Sequence, residues 1–461
     1  MQSTRLKQLI TEPDIDMVSS RELYNSLSVT SISTDSRSLK EGDIFIAIPG
    51  ESFDGHSFIG EAVKKGAAAV VFETGRRTAV DRFMKKNRPV VFIGVPDTRR
   101  SFGTLAKNYL SRFDVKKTVV TGSCGKTTTR GLLSSVLSRR YKVVSSRKSY
   151  NNDIGVPKTI LEIDDSTDVL VQELGMNRSG EIEYLSSIVE QDYALITNIG
   201  PAHIGFFGSE MNIAREKKAA LLRLKKEGVA FLNAEDLYFD FLRDGIKAGV
   251  RSFGLEKGDL FAQQPIRHML DRTEFTLQGV GMSVGIAGMH GVINAVGAAL
   301  VGLFFGCTLE EIKRGIEDYE GEGGRGNLHT SNGVTVIDES YNANPLSVRA
   351  ALDSLARVEA RGRKAFVFAD MLELGDKAEQ FHVDIADYVA GAGIDALFTY
   401  GRLSGITASR CEEMGFQGIF QFSEIEELIQ KLKGWVRDGD LVLIKGSRAM
   451  RLERVLDMFL S

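Results

Sequence analysis

The stretch that most constrains how this chain can fold covers residues 117–130, Lys-Thr-Val-Val-Thr-Gly-Ser-Cys-Gly-Lys-Thr-Thr-Thr-Arg. A β-branched run stops at Gly122, and a pattern with apolar residues on one helical face begins just after Lys126. The order is therefore strand, tight loop, helix. A loop placed in this way directs backbone N–H groups and the positive end of a helix dipole into one small volume. The pattern predicts a compressed P-loop that binds a polyphosphate.

The residue types in this loop suit phosphate chemistry. Gly122 and Gly125 let the backbone turn and approach closely, Lys126 can reach the β- and γ-phosphates, and the Thr127 hydroxyl can ligate Mg²⁺. A bare Gly-Lys-Thr is also typical of an ordinary turn before a helix, but the strand before it and the helix after it favour the nucleotide site. The predicted nucleotide loop consists of Gly122, Ser123, Cys124, Gly125, Lys126, Thr127 and Thr128.

Two further apolar runs end in polar residues. Residues 169–171 lead to Glu173, and residues 194–197 lead towards His203. Open parallel sheets build their sites at the carboxyl ends of strands, and Mg²⁺ takes one or two carboxylates plus waters and phosphates. Taken singly, Glu173 is equally explained as a solvated turn carboxylate and His203 as a structural histidine. Their shared position at strand ends, together with the P-loop, predicts a magnesium site.

Length and charge limit the class of protein. At 461 residues the chain is too long for one core, so we expect about three domains. Fifty-eight Lys and Arg balance 61 Asp and Glu, and a net charge of -3 does not favour nucleic acid as a partner. Three widely spaced cysteines do not form a disulfide framework, and the amino terminus lacks a signal-peptide core, so we expect a cytoplasmic location.

One apolar stretch, residues 275–309, raises the question of membrane insertion, because it contains no Asp, Glu, Lys or Arg and His290 is its sole histidine. Five glycines between residues 279 and 291, with Asn294, interrupt it, whereas a spanning helix needs about 20 continuous apolar residues. We interpret it as two strands, at about 274–280 and 282–287, followed by a buried helix from about Asn294. No membrane insertion is expected.

Alternating strand and helix patterns predict an α/β protein of three domains. A small N-terminal α/β domain covers residues 1–96, and Asp97 is the expected N-cap of the next helix. A central P-loop domain with a mostly parallel sheet covers 97–322, and the glycine-rich segment 321–326 leads into a Rossmann-like domain at 323–461. There, Asn344 and Pro345 are a helix start signal, and residues 423–426 have capping-box spacing.

Several motifs occur in an order that resembles the Mur ligases along essentially the whole chain. The P-loop is followed by Asn151-Asn-Asp-Ile-Gly-Val-Pro157, Glu173-Leu-Gly-Met-Asn, Asn198 to His203, Tyr341-Asn-Ala-Asn-Pro345, Asp370-Met-Leu-Glu-Leu-Gly375 and Lys445-Gly-Ser-Arg448. The Tyr341–Pro345 and Asp370–Gly375 motifs are typical of the family members that add D-alanyl-D-alanine. The resemblance implies an ATP- and Mg²⁺-dependent ligase of peptidoglycan precursor synthesis, acting as a monomer. Its substrate carboxylate is phosphorylated by ATP, and the amine of D-Ala-D-Ala then displaces phosphate to extend UDP-N-acetylmuramoyl-tripeptide.

The resemblance also assigns residues. It implies catalytic roles for Lys126, Glu173, His203 and Lys217, with Thr127, Glu173, His203 and Lys217 at the metal. Lys217 matches a lysine that the family carbamylates, although from its sequence context alone it is a surface lysine. Nucleotide contacts are implied for Asn294, Arg325, Asn342 and Asn344. The uridine-nucleotide and dipeptide substrates are assigned to Ser36, Glu51, Ser52, Phe53, Asn152, Ser447 and Arg448.

The chain departs from the family pattern at a few positions. Cys124 stands where Asn, Ser or Thr is usual; because the loop binds through its backbone, we expect ATP binding with sensitivity to thiol reagents. Ala219 replaces an acidic residue and Lys218 adds charge beside the modified lysine, which leaves carbamylation open. Gly291 replaces the asparagine of a His-Asn pair.

Two alternatives therefore stay open beside the leading one. A different amide ligase of the superfamily, of the diamino-acid-adding or folylpolyglutamate type, predicts phosphate release that ignores D-Ala-D-Ala. A non-catalytic nucleotide-binding protein predicts ATP binding without amide formation.

Overall fold

The computed structural model describes residues 1–11, 14–50, 53–84 and 90–460. The chain divides into two compact units. Unit 1 contains Met1–Thr118, Lys142–Gly175 and Glu183–Gln191, and unit 2 contains Val119–Tyr141, Met176–Ile182 and Asp192–Ser461. The three domain ranges expected from the sequence stay a prediction.

The N-terminal part of unit 1 is a small α/β sheet. In the described residues its strand order is β2-β7-β6-β5-β4, parallel except for the β2–β7 pair. Asp97 accepts hydrogen bonds from the N–H groups of Arg99 and Arg100 and so begins α5, as predicted. The elements are β1 (Thr4–Arg5), α1 (Leu6–Leu9), β2 (Met17–Val18), α2 (Arg21–Ser26), β3 (Ser28–Val29), β4 (Ile32–Ser33), β5 (Ile44–Ile46), α3 (Ile59–Lys64), β6 (Ala69–Glu73), α4 (Asp81–Met84), β7 (Val91–Val95) and α5 (Thr98–Leu110).

The central stretch of the chain contributes to both units. Its elements are β8 (Lys116–Thr121), α6 (Lys126–Leu137), β9 (Val143–Ser145), α7 (Gly155–Ile160), β10 (Val169–Glu173), α8 (Glu181–Val189), β11 (Tyr193–Ile196), α9 (Ile204–Phe207), α10 (Glu210–Leu222), β12 (Val229–Asn233), α11 (Phe239–Arg243), β13 (Gly249–Gly254), β14 (Leu260–Phe261), β15 (Gln263–His268), β16 (Thr273–Leu277), β17 (Val280–Val284), α12 (Met289–Phe304) and α13 (Leu309–Glu317). In unit 1, β9 and β10 are parallel. In unit 2, β11 to β14 are parallel, and β15 to β17 form an antiparallel meander.

The apolar stretch at 275–309 folds into two strands and a helix, as expected, but with different bounds. The strands β16 and β17 start and end earlier than predicted, and α12 begins at Met289 rather than near Asn294. Gly288 takes a φ of 96° at the N-cap, so the turn that starts the helix lies six residues before Asn294. Among the described residues, no helix has the length and apolarity needed to cross a bilayer.

The C-terminal part of unit 2 contains a second sheet with strand order β18-β19-β23-β20-β21-β22, in which β18–β19 is the antiparallel pair within the described residues. Buried Val367, Phe398 and Val442 pack against Leu428 and Val455 of covering helices. The elements are β18 (Asn327–Ser331), β19 (Val334–Glu339), α14 (Pro345–Arg357), β20 (Lys364–Ala369), α15 (Ala378–Gly391), β21 (Ala396–Tyr400), α16 (Arg402–Glu413), β22 (Ile419–Phe422), α17 (Ile425–Trp435), β23 (Leu441–Lys445) and α18 (Glu453–Leu460). The predicted α/β class, with a second mostly parallel sheet, is confirmed.

The two predicted capping signals of this sheet had different outcomes. Asn344 caps α14 by accepting from the N–H of Ser347, with Pro345 in the first helical position, as predicted. The predicted capping box at residues 423–426 is wrong. The N-cap of α17 is Glu424, and its side chain makes no capping hydrogen bond.

Candidate active site

The predicted P-loop joins β8 to α6 in unit 2. Gly125 is the N-cap of α6 with a left-handed φ of 79°, and a Cβ there would lie 2.7 Å from Oδ1 of Asn294. A Cβ on Gly122, at φ 151°, would lie 1.9 Å from Oγ1 of Thr197. Both positions therefore require glycine, for conformation and for space. Lys126 bends back so that Nζ donates to the Gly122 carbonyl at 3.0 Å.

A second loop, residues 197–200, braces the P-loop. The N–H of Ser123 donates to the Asn198 carbonyl, and the N–H of Cys124 donates to Asn198 Oδ1, each at 2.9 Å. The hydroxyl of Thr197 and the amide of Asn198 donate to the Cys124 carbonyl at 2.5 and 3.1 Å. These two N–H groups are therefore used within the protein. The predicted phosphate contacts fall to the first turn of α6, whose ladder begins when Thr129 N–H donates to the Gly125 carbonyl.

His203 contacts a residue to which the sequence analysis gave no role. Its Nδ1 lies 2.6 Å from Oε2 of Glu373, and the side chains are 22% and 45% exposed. This contact holds the pKa of Glu373 below its usual range, so the carboxylate is ionised at neutral pH. The backbone φ angles of His203 and Glu373 are both left-handed, at 59° and 63°.

Lys217 is buried in α10, with 2% of its surface exposed. The interpretation as a surface lysine is wrong, because its side of the helix packs into unit 2. The neighbouring Lys218 ammonium donates to the Phe241 carbonyl at 2.6 Å and lies 4.4 Å from the centre of the Phe241 ring.

A buried ion pair lies at the carboxyl ends of two neighbouring strands of the C-terminal sheet. Nζ of Lys445, a residue 1% exposed, lies 2.8 Å from Oε2 of Glu339 and also donates to the Asn342 carbonyl at 3.2 Å. Burial alone raises the pKa of Glu339, but the charges of Lys445, His290 and Arg325 and the Lys445 hydrogen bond together more than offset this, so the pKa is lowered. The charges of Lys445 and Glu339 also act on the pKa of the Cys124 thiol in the P-loop.

The predicted nucleotide-contacting residues have different environments in unit 2. Asn294 is buried with its amide against Gly125. The Arg325 guanidinium lies 4.1 Å from the centre of the Tyr341 ring, and Asn342 is exposed. Asn344 uses its side chain as the α14 cap. Of the two asparagines in this motif, Asn342 therefore retains the more accessible side chain.

The loop at residues 370–375 contacts the predicted dipeptide residues. Buried Ser447 accepts through Oγ from the N–H of Leu372 at 2.8 Å, and its own N–H donates to the Asp370 carbonyl. Arg448 is exposed, pairs with Glu453 at 3.5 Å and presents its N–H to Asn342 Oδ1 at 3.4 Å. Ser447 therefore fixes the loop, and Arg448 keeps an accessible guanidinium.

Comparisons with known proteins supply the family. The curated UDP-N-acetylmuramoyl-tripeptide–D-alanyl-D-alanine ligase of Bacillus subtilis is 33% identical to this chain over 437 residues, 94% of this chain and 93% of that enzyme. The enzyme of the same name from Escherichia coli is 32% identical, with 93% of each chain covered. The chain belongs to the Mur ligase family. Family descriptions match along its length: "Mur ligase family, catalytic domain" at 28–109, "Mur ligase middle domain" at 120–302 and "Mur ligase, glutamate ligase domain" at 324–448.

Solved Mur ligase structures share the fold. MurF from Acinetobacter baumannii gives a TM-score of 0.85 at 32% identity and covers 95% of this chain and 94% of that one. MurF from Thermotoga maritima, solved in complex with ADP, gives a TM-score of 0.81 at 27% identity and covers 94% and 97%. The three-domain fold expected of a Mur ligase is confirmed by these neighbours.

Within unit 1, Glu173 is the last residue of β10 and is 1% exposed. Asn151 Nδ2 donates to Oε1 at 2.7 Å, whereas Oε2 is buried and has no hydrogen-bond partner in the described residues. A buried carboxylate oxygen without a partner is costly unless a ligand occupies it. The Mur ligase expectation of Mg²⁺ at Glu173 therefore fits this carboxylate. Asn151, which sequence analysis noted in its motif without giving it a role, orients the side chain.

The predicted uridine-nucleotide residues of this Mur ligase also lie in unit 1. Ser36 is buried and its hydroxyl donates to Oε2 of Glu61 at 2.8 Å, whereas Phe53 is 74% exposed. Asn152 is exposed, and its Oδ1 accepts from the N–H groups of Ile154 and Gly155. Glu51 and Ser52 lie outside the described residues. The exposed ring of Phe53 is the feature most accessible to a ligand.

Proposed function

We propose that this chain joins D-alanyl-D-alanine to UDP-N-acetylmuramoyl-tripeptide, with ATP as the energy source, in peptidoglycan precursor synthesis. The observation that carries the proposal is identity above 30% over more than nine-tenths of the chain to enzymes named for that reaction. The braced P-loop supplies the nucleotide site that such a reaction requires.

The chemistry has two steps. A carboxylate oxygen of the tripeptide attacks the γ-phosphorus of ATP, which gives an acyl phosphate and ADP. The neutral amine of D-Ala-D-Ala then attacks the acyl carbon; phosphate leaves, the amine proton passes to solvent or a base, and an amide remains. Both steps depend on alignment and on neutralising phosphate charge, for which no covalent protein nucleophile is needed.

The P-loop residues carry the first step. The N–H groups of the first α6 turn, at Lys126, Thr127 and Thr128, are oriented to bind phosphate oxygens. Lys126 Nζ, which donates to Gly122 in this structure, leaves that carbonyl for the phosphates. Its charge offsets the charge that develops during transfer. Asn294 holds the turn at Gly125 in place, and Arg325 and Asn342 are the nucleotide-facing residues on the C-terminal side.

The metal site of the proposal uses Thr127, Glu173, His203 and Lys217. When bound, Mg²⁺ neutralises charge on the β- and γ-phosphates. Glu173 offers the unpartnered Oε2, and Asn151 holds its other oxygen. Lys217 is buried, the setting in which carbamylation would replace an ammonium by a carboxylate-like ligand.

Substrate residues complete the proposal. Ser447 and Arg448 are the dipeptide candidates, with the accessible Arg448 guanidinium suited to the C-terminal carboxylate. The uridine nucleotide is assigned to the region of Ser36, Phe53 and Asn152. A monomeric state and a cytoplasmic location stay predictions from the sequence.

The proposal is tested by phosphate release and product mass. The purified chain is incubated with ATP, Mg²⁺ and UDP-N-acetylmuramoyl-tripeptide carrying diaminopimelate, lysine or ornithine as third residue, with or without D-Ala-D-Ala. We expect release that depends on D-Ala-D-Ala and a product heavier by one dipeptide minus water. Release that ignores D-Ala-D-Ala would contradict the proposal.

The Lys126→Ala variant checks that the P-loop drives this activity. Loss of the ammonium removes charge stabilisation at the transferring phosphoryl group, so we expect kcat to fall by about 10²–10⁴. Circular dichroism confirms folding. A variant that binds ATP less well while the wild-type chain forms no amide would indicate a non-catalytic nucleotide-binding protein.

A further inference from the structure

The contact between His203 and Glu373 joins two loops that are 170 positions apart in the chain. Nδ1 of His203 lies 2.6 Å from Oε2 of Glu373. The N–H of Gly205, two residues on, donates to the Glu373 carbonyl at 2.9 Å. One residue, Glu373, therefore contacts the His203 loop through both its side chain and its backbone.

The two loops are also fitted to each other sterically. A Cβ on Gly205 would lie 2.6 Å from the Gly375 nitrogen and 2.9 Å from the Glu373 carbonyl oxygen. His203 and Glu373 both hold left-handed φ angles, of 59° and 63°, a strained backbone region for residues other than glycine. Backbone strain at both partners of one contact indicates that the surrounding structure fixes this arrangement.

The same loop reaches the predicted amine site. Leu372, one residue before Glu373, donates its N–H to Ser447 Oγ at 2.8 Å. Met371 donates its N–H to Nε2 of buried His382 at 3.0 Å. Residues 371–375 are therefore anchored at one end beside Ser447 and at the other beside His203.

From these contacts we propose that Glu373 is a positioning residue that orients the His203 imidazole towards the metal–nucleotide site and links that site to the dipeptide site through residues 371–375. The inference rests on the proposed function in one respect, the role of His203 at the metal. Nδ1 of His203 faces the Glu373 carboxylate at 2.6 Å, so Nε2 is the ring nitrogen left for a ligand. Carboxylate partners of this kind fix the tautomer and the ring orientation of metal-binding histidines, and their loss costs about 10–100-fold in affinity or activity.

The test measures metal binding without turnover. Mn²⁺ is titrated into the full-length protein saturated with ADP, with no acceptor or dipeptide present, and free Mn²⁺ is followed by electron paramagnetic resonance. We expect Glu373→Ala to raise the Mn²⁺ Kd by about 10–100-fold. Glu373→Gln, which keeps an acceptor oxygen but loses the charge, should raise it less. Thermal melting monitors folding of each variant.

Controls separate positioning from a general effect on the fold. Glu379 is an exposed carboxylate that starts the next helix and pairs with Arg402 at 3.2 Å, so Glu379→Ala should leave the Kd unchanged. His203→Ala should weaken Mn²⁺ as Glu373→Ala does, and the double variant should lose little more, because both act through one imidazole.

Other outcomes decide against the inference. A Glu373→Ala protein that melts at a lower temperature but binds Mn²⁺ like the wild type would reduce the contact to a structural one. Wild-type affinity in His203→Ala would remove the metal role on which the inference rests. If Mn²⁺ binding by the wild-type chain depends on His203 and Glu373 but the chain forms no amide with D-Ala-D-Ala, the proposed function fails while the positioning role stands.

Discussion

The P-loop and the 370–375 loop are both tight connections after strands of parallel sheets, yet they are shaped by different means. In the P-loop, left-handed glycines set the turn, and bonds from residues 197–200 run mainly to its backbone. In the 370–375 loop, Glu373 takes a left-handed φ without being glycine, and it meets His203 through its side chain. The P-loop therefore depends on its glycine conformations and on partners of its backbone, whereas the 370–375 loop also depends on the side-chain contact of Glu373 with His203.

This difference predicts that substitutions in the two loops have different effects on folding and ligand binding. An added methyl group in the P-loop would lie 1.9 Å from the Thr197 hydroxyl oxygen at Gly122, or 2.7 Å from the Asn294 amide oxygen at Gly125, so we expect a large loss of nucleotide affinity. Removing a partner from the 370–375 loop leaves the β20 and β23 core in place, so the effect falls on ligand affinity rather than on folding.

The largest effect is expected for Gly122→Ala. The new Cβ would lie 1.9 Å from Thr197 Oγ1 at a φ of 151°. The Thr197 hydroxyl must then move, and it loses the hydrogen bond that it donates to the Cys124 carbonyl. We expect kcat/KM for ATP to fall by at least about 10³, equivalent to about 4 kcal/mol. Stopped-flow nucleotide binding and steady-state assays measure it.

Gly306→Ala is the matched control for that change. Gly306 also has a positive φ, 84°, but a Cβ there meets no atom within 4 Å. It should cost about 1–2 kcal/mol of stability from backbone strain alone and leave ATP kinetics unchanged. If Gly122→Ala behaves like Gly306→Ala, close packing of the P-loop is not what shapes the site.

A smaller effect is expected for Gly205→Ala. Its Cβ would collide with the Gly375 nitrogen at 2.6 Å and push the 370–375 loop away from His203. We expect the Mn²⁺ Kd of the ADP complex to rise by about tenfold, with the fold retained. Gly434→Ala, in a helix where a Cβ meets no atom within 4 Å, is the control. Equal Mn²⁺ Kd values for Gly205→Ala and Gly434→Ala would mean that the contact between the two loops does not affect metal binding.

Local signals explain which parts of the molecule were predictable. The strand–loop–helix at Lys126, the Asp97 cap and the Asn344–Pro345 start depend on residues within a few positions of one another, and all three are present. The capping box at 423–426 was a local signal too, but Glu424 took the N-cap position instead. Short motifs therefore predict that a helix exists better than they predict its first residue.

The site contacts that sequence analysis missed depend on strand order. Glu339 lies beside Lys445 because β19 neighbours β23, and these residues are 106 positions apart. Asn198 reaches Cys124 across 74 positions. Glu373 was visible as part of a motif, but no periodicity or spacing connects it with His203. The signal available in the sequence was the repeated placement of polar residues just after strands. It indicates that these residues lie at one edge of a sheet, but it does not show which of them contact each other.

The smallest effect is expected for a change at Cys124. This P-loop residue makes its contacts through its backbone, whereas Glu373 of the 370–375 loop contacts His203 through its side chain. Because the Cys124 N–H and carbonyl make the bracing hydrogen bonds, Cys124→Ser should change kcat/KM for ATP by less than about threefold.

Burial raises the pKa of the Cys124 thiol, so the thiolate is scarce at neutral pH. The rate of alkylation should therefore still be rising above pH 8.5, which is about the pKa of a free thiol. Iodoacetamide labelling followed by peptide mass spectrometry, with and without ADP, measures this, and buried Cys307 and Cys411 are internal controls. Rapid labelling at pH 7 would mean that the thiol, and with it the P-loop, is more open than the bracing contacts allow.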